Sequence, residues 1–222
     1  MTTETSKDEA NCCNGSRRGR PLQMDTPARE AAILRATAQL LLEVPFDDVT
    51  MAAVSAKTAM SKRTLYQYFS NREDLLIRAV ADLSRSIFIP LSSKDSKLPL
   101  PERLSILMRV NTPPGSEENK LECLRSIVAK AQSYPTLAQN LYSNGYGALI
   151  GFVCTEITRA IEDNEIALAL ADVELASEML LSMAFENTLA RLLHPLAPPP
   201  PLAEQDRRRE FAIAMFLRAH AP

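Results

Sequence analysis

An all-α fold is predicted by three features of this 222-residue sequence. Apolar residues recur at three- and four-residue steps through most of its length. No run alternates with the period of two that a half-buried strand requires. Proline, glycine and acidic clusters separate the periodic stretches and supply the stops. The pattern divides into a polar N-terminal arm, a unit of short helices, and a larger helical unit.

The first 26 residues lack apolar periodicity and contain Gly15, Gly19 and Pro21, so residues 1–26 are expected to form a disordered arm. From Pro27 to Val44, Ala31, Ile33, Leu34, Ala38, Leu41 and Leu42 recur with helical spacing. Thr26 is the expected N-cap, Pro27 the first helical residue, and Pro45 the stop. Two short helices follow, MAAVSAKT behind Thr50 and KRTLYQYF behind Ser61, with Val54, Leu65 and Phe69 facing inward. Helices this short hold only when packed against others. A fourth helix, from about Asn71 to Ile89, turns Leu75, Leu76, Ala79, Val80 and Leu83 to the core until Pro90 ends it. SSKDSKLP then reads as a connector, which sets the expected units at 27–89 and 99–222. In the second unit helices are expected over about 100–111, 117–133, 136–163, 171–194 and 203–219. They are interrupted at TPPG, Tyr134-Pro135, EDNE and HPLAPPPP.

Composition narrows the function classes. The chain is 46% hydrophobic, enough for a sizeable core, yet no apolar run reaches the eighteen or so residues of a membrane span. The polar N-terminus has no secretory h-region, so a soluble, cytoplasmic protein without a membrane partner is expected. Adjacent Cys12 and Cys13 would make a strained disulfide, and Cys123 and Cys154 have no zinc-site spacing, so free thiols are expected. His194 and His220 have no catalytic or metal-binding neighbours, and there is no Gly-rich phosphate loop, HExxH or GxSxG. No enzyme activity, metal or cofactor is therefore expected. A net charge of −2 is unlike most nucleic-acid binders, but its distribution matters more. Arg17, Arg18 and Arg20 stand together, and Lys57, Lys62, Arg63 and Arg72 occupy a stretch without an acid, so phosphate could dock at either patch.

The two short helices joined across Thr58 to Ser61 have the form of a helix-turn-helix, whose second helix lies in the DNA major groove. Lys62, Arg63, Thr64 and Gln67 place donors on its outer face, and Tyr66 and Tyr68 add rings with hydroxyl tips. The stretch VTMAAVSAKTAMSKRTLYQYFSNREDLLIRAV resembles the TetR-family DNA-binding signature, and the likeness extends back through AAILRATAQLLLEVPFDDVT. It is carried by Thr50, Ser61, Leu65-Tyr66, Tyr68-Phe69 and Arg72-Glu73. Pro45-Phe46 replaces the usual glycine before the second helix, and Ala59 replaces the turn glycine, where a left-handed conformation costs an alanine about 1 kcal/mol. LRSIVAKAQSYPTLAQNLYSNG and DVELASEMLLSMAFENTLARLL resemble, more diffusely, the C-terminal half of AefR-like and AcrR-like regulators.

The resemblance implies an all-α protein with a three-helix helix-turn-helix DNA-binding domain, followed by a larger helical ligand-binding and dimerisation domain. It implies a transcriptional regulator, a repressor released from its operator by a small-molecule effector. Lys62, Arg63 and Thr64 would contact base edges, with Tyr66 and Gln67 beside them. Thr50, Ser61, Tyr68 and Arg72 would contact phosphate, and Thr50 and Ser61 serve as helix caps in either case. The Tyr66 ring could instead pack on the neighbouring helix. The string RRGRP has the Arg-Gly-Arg-Pro core of an AT-hook, so Arg17, Arg18 and Arg20 form either a minor-groove arm or a solubilising tail.

For pairing two copies, the helices over 171–194 and 203–219 offer Val173, Ala176, Met179, Leu180, Met183, Ala184, Phe211, Ala214 and Leu217, although an intrachain core would show the same spacing. For an effector pocket the candidates are Leu104, Leu107, Met108, Ile127, Ala131, Leu141, Tyr142, Tyr146 and Ile150, each equally suited to plain core. The expected partners are a near-palindromic double-stranded operator, which would place the protein on the nucleoid, a second copy of the chain, and an unidentified small molecule. A transcriptional activator, a ligand-independent DNA binder and an all-α adaptor are the alternative readings.

Overall fold

The computed structural model describes residues 25–111, 117–194 and 196–222. Arg17, Arg18, Arg20, Cys12 and Cys13 lie outside the described residues. Among the described residues all regular structure is helical: α1 (Thr26–Glu43), α2 (Met51–Thr58), α3 (Lys62–Tyr68), α4 (Arg72–Ile87), α5 (Leu100–Leu107), α6 (Glu117–Ala129), α7 (Pro135–Asn144), α8 (Tyr146–Glu162), α9 (Val173–Ala184), α10 (Thr188–Leu193) and α11 (Leu202–Ala219). Short 3-10 turns at Phe46–Asp48, Asp95–Lys97 and Leu170–Asp172 lead into α2, α5 and α9. No helix among the described residues is long and apolar enough to cross a membrane.

Local chemistry sets the ends of these helices, and several differ from the sequence expectation. α1 is capped one residue earlier than expected: the Asp25 carboxylate accepts from Ala28 N–H at 3.0 Å, leaving Thr26 and Pro27 inside the first turn. A carboxylate is the better acceptor at that position and also meets the positive end of the helix dipole. The stretch expected as one helix over 136–163 is two, broken at Gly145. The chain passes so close to itself there that a Cβ on Gly145 would sit 2.8 Å from the Leu141 carbonyl oxygen. The stretch expected over 171–194 is also two helices: Phe185 turns extended, and Asn187 restarts the chain by accepting from Ala190 N–H at 3.1 Å. α5 stops at Leu107, and Asn111 doubles back, its backbone N–H donating to the Ile87 carbonyl at 2.9 Å and its side chain to Ser86 at 3.1 Å. It thereby satisfies carbonyls at the end of α4 that have no partner within the helix.

Two apolar cores result. One joins α5, α8, α9 and α11 through Leu104, Leu107, Leu149, Val153, Ile157, Leu180, Ile213 and Phe216, with Phe88 from just after α4 packed against it. The other gathers Ile33, Leu41, Phe46, Val54, Leu65, Phe69, Leu75 and Leu76 of the N-terminal unit, but it also takes in Ile127 of α6 and Leu137 of α7. The segment between α4 and α5 links the two cores, and the N-terminal one is closed by side chains of α6 and α7. A buried charged cluster braces the start of α5: Arg103, 1% exposed, pairs with Glu156 at 2.8 Å and with Glu165, whose carboxylate also accepts the Leu100 N–H at 3.2 Å. Burial of the guanidinium is tolerated because two carboxylates face it.

Candidate nucleic-acid interface

The outer face of α3 is built from its two caps inward. Thr50 opens α2 by accepting from Ala53 N–H at 3.1 Å. Ala59 closes it in the left-handed region, at φ 53° and ψ 26°, so that Ala59 N–H reaches the Ala56 carbonyl at 3.3 Å and Met60 N–H reaches Ser55 at 3.2 Å. The Ser55 hydroxyl then donates to the Met60 carbonyl at 2.5 Å and locks the turn. Ser61 opens α3, its Oγ accepting from Thr64 N–H at 3.1 Å and lying 2.9 Å from Thr64 Oγ1. Leu65 and Phe69, both fully buried, anchor the inner face of α3.

This anchoring turns Lys62, Arg63, Tyr66 and Gln67 to solvent. None of the four makes a side-chain hydrogen bond or ion pair among the described residues. Tyr66 is 55% exposed, so its ring is not absorbed by the neighbouring helix. Thr64 is half-buried and shares its hydroxyl with Ser61, and Tyr68 is half-buried against the N-terminal core.

The other two bases of the acid-free stretch are committed elsewhere. Lys57 pairs with Glu43 of α1 at 2.6 Å. Arg72, expected at phosphate, instead folds back under the turn before α2. Its Nε donates to the Val49 carbonyl at 2.7 Å, its Nη2 donates to the Phe46 carbonyl at 2.6 Å, and its guanidinium lies 5.1 Å from the Phe46 ring centre. The Phe46 carbonyl already closes the 3-10 turn by accepting from Val49 N–H at 3.3 Å, and the guanidinium fork adds a second donor there while reaching the Val49 carbonyl as well. Arg78, which sequence reasoning left unmarked, does the same for α3: it donates to the Tyr68 carbonyl at 3.0 Å, pairs with Glu30 of α1, and lies 4.7 Å from the Phe69 ring centre. Its position beside Leu75 and Ala79 on the apolar side of α4 is the signal that could have found it, since a cation there needs a partner.

The C-terminal candidates are sorted differently by the structure. Leu104, Leu107 and Met108 are fully buried in the C-terminal core, whereas Ile127 is buried with the N-terminal unit and Leu141 packs against that same core. Ala131 is half-buried in the turn after α6. Of the nine effector candidates, Tyr142 and Ile150 line one open cleft of about 300 Å³, whose other walls are Ser143, Gly147, Glu174 and Glu178. Tyr146 lies close by, its phenol pKa raised by burial and partly offset by a hydrogen bond with Ser182. Among the pairing candidates, Val173, Leu180 and Ala184 belong to the chain's own core, and Ala176, Ala214 and Leu217 are half-buried. Met179, Met183 and Phe211 are exposed, as are Leu175 of α9 and Met215 of α11.

Comparison with known proteins agrees with this layout. The model for bacterial regulatory proteins of the tetR family matches residues 33–79, from within α1 to the middle of α4. The model for the C-terminal domain of AefR-like transcriptional repressors matches residues 115–222. The chain belongs to the TetR family. This TetR-family protein is thus a DNA-binding transcriptional regulator rather than an enzyme. It is 32% identical over 97 residues to YdeS, an HTH-type transcriptional regulator of Bacillus subtilis, a match spanning 44% of this chain and 42% of YdeS. In fold it is similar to a TetR-family regulator from Mesorhizobium loti, with a TM-score of 0.70 at 18% identity over 90% of this chain and 100% of that one. It is also similar to the flavonoid-responsive regulator FrrA, with a TM-score of 0.65 at 22% identity over 87% of this chain and 97% of that one.

Proposed function

We propose that this TetR-family regulator is a cytoplasmic repressor that binds a near-palindromic operator as a homodimer and leaves it when a small molecule binds the C-terminal domain. The observation that carries the DNA reading is the outer face of α3, where Lys62, Arg63, Tyr66 and Gln67 stand exposed with no partner in the chain while their helix is fixed by Leu65, Phe69 and Arg78. Donors held ready on a rigid short helix are what base readout in a major groove requires. In this reading Lys62, Arg63, Thr64, Tyr66 and Gln67 contact bases, and Thr50, Ser61 and Tyr68 contact phosphate. Arg72 acts as a buttress of the turn before α2.

Pairing is supported by the exposed apolar row Leu175, Met179 and Met183 on α9, with Phe211 and Met215 on α11. Exposed apolar rows at four-residue spacing on two packed helices suit an interaction surface, and twofold pairing through them makes the two reading heads equivalent. Release by an effector is supported by the match of residues 115–222 to a repressor-type C-terminal domain. In this reading the effector docks at the open cleft beside Tyr142 and Ile150.

The test is a titration of the purified protein against DNA selected from a random pool, repeated at two salt concentrations, followed by transcription from a promoter carrying the selected site. The expected result is an inverted-repeat site, an affinity that falls steeply with salt, and lowered transcript. Raised transcript would replace repressor with activator, and a pool that yields no enriched site would sink the DNA reading.

A further inference from the structure

Phe46 is 4% exposed, and its ring is contacted from both structural units at once. From the N-terminal unit, Arg72 lies against it and holds its carbonyl. From the C-terminal unit, Tyr134, just before α7, meets it edge-on with ring centres 6.1 Å apart at 62°. Lys130, in the turn after α6, places Nζ 5.7 Å from the same ring centre and 2.9 Å from the Asp47 carboxylate. The turn gripped in this way, Phe46–Asp48, is followed by Val49 and then by Thr50, the cap of α2. Lys130 and Tyr134 both lie outside residues 33–79, the part matched by the DNA-binding family model.

We propose that Lys130 and Tyr134 are positioning residues for DNA recognition, fixing the orientation of the reading head on the body through Phe46 and so setting the half-site spacing that the protein accepts. The inference rests on the reading of the chain as a homodimer that binds two half-sites. Two heads on a twofold dimer must meet successive major grooves, and a rotation of either head about its seat on the body changes the distance between the two α3 helices. Residues that fix that seat therefore act on spacing, whereas residues of α3 act on base identity. The Lys130–Asp47 pair is partly open to water, with 72% of the Asp47 side chain exposed, so it contributes direction more than strength. Tyr134 and the cationic face of Lys130 on the ring supply the rest.

The experiment uses the full chain and a panel of operators whose two half-sites are moved apart or together by one and two base pairs, with a single half-site as reference. Tyr134→Ala and Lys130→Glu are compared with Lys130→Arg, which keeps the cation, and with Asp47→Asn, a mild surface change that leaves the fold intact. Tyr134→Ala and Lys130→Glu are expected to lose about three- to tenfold of the preference for native spacing, the range for removing members of one contact network, while binding the single half-site as wild type does. Lys130→Arg is expected to restore the wild-type preference, and Asp47→Asn to lower it by less than about twofold. Equal losses on every operator and on the half-site would reduce these residues to ordinary fold stability and overturn the proposal. So would a spacing profile that none of the four variants changes. A wild-type protein with no inverted-repeat site would instead fail the functional reading beneath it, before any variant is compared.

Discussion

The turn between α2 and α3 carries a testable strain. Ala59 sits at φ 53° and ψ 26°, where its Cβ crowds the backbone, at a cost of about 1–2 kcal/mol for an L-residue with a side chain. Glycine would remove that cost but enlarge the freedom of the unfolded chain, which returns roughly 0.4–1 kcal/mol to the unfolded state. The Ala59 side chain is exposed, so no packing is lost in the exchange. Ala59→Gly should therefore stabilise the protein by about 0.5–1 kcal/mol, a rise in Tm of roughly 1–4 °C for a chain of this length. Both turn hydrogen bonds, from Ala59 N–H and Met60 N–H, survive the change, so specific DNA affinity should stay within about twofold of wild type. Calorimetry of wild type and variant in one buffer measures the first quantity, and an operator titration the second. Ala59→Val, β-branched at the same positive φ, should lower Tm. A lower Tm for Ala59→Gly, or an unchanged Tm for Ala59→Val, would refute the claim that the backbone here is strained.

Four further outcomes follow from the same geometry. Arg63→Ala should cost about 1–3 kcal/mol of specific affinity and relax selectivity at one operator position, and equal losses on specific and random DNA would move Arg63 to the phosphates. Arg72→Gln should lower thermal stability, since charged hydrogen bonds to two carbonyls are worth about 1.5–3 kcal/mol each, yet leave the salt dependence of DNA binding unchanged. A fall of about 0.9 in that slope would return Arg72 to a phosphate contact. Met179→Asp combined with Phe211→Asp should give a helical monomer by light scattering and circular dichroism, with a collapse of full-operator affinity, because it puts unpaired charge in the proposed interface. A variant that stays dimeric would place pairing elsewhere. Burial pushes the Cys123 thiol from 9.0 up to about 11. Between those values the unfolded chain loses a proton that the folded chain keeps, so stability should fall as pH rises through that window, by on the order of 2–3 kcal/mol. Chemical denaturation of wild type beside Cys123→Ala across that range checks the sign, and parallel pH profiles for the two proteins would refute it.

Helix existence was legible in the sequence because a 3.6-residue apolar period leaves few alternatives, and the face of α3 was legible because Leu65 and Phe69 fix which side is inward. Breaks inside long periodic stretches were not. Gly145 interrupts a run whose apolar spacing continues on both sides: its backbone turns to φ −104° and ψ −104°, where a Cβ would meet the Leu141 carbonyl, and apolar periodicity does not register such a bend. Periodicity also says that a residue is buried without saying against what. Leu180 and Met179 are neighbours of similar character, but one row of α9 meets α8 and α11 while the other meets solvent, and only the packed chain separates them. The same limit explains Arg72 and Lys57, whose cationic ends were visible and whose partners, 23 to 26 and 14 positions away, were not.

The arrangement of the two cores constrains how DNA binding could be regulated. The N-terminal core contains Ile127 and Leu137, 3% and 1% exposed, so the reading head cannot swing on a flexible connector without opening its own interior. Close-packed interiors do not deform continuously, and they shift between discrete packings. An effector that displaces α6 or α7 would thus act directly on the core that seats α1 and α4. Arg72 and Arg78 would carry such a change onward, since both leave α4, Arg72 ending on the carbonyls before α2 and Arg78 on the last carbonyl of α3. Helix α4 therefore packs on α7 and on α1 and reaches α3 through Arg78, so that a displacement of α7 would be felt first by α4 and then by the end of the reading helix.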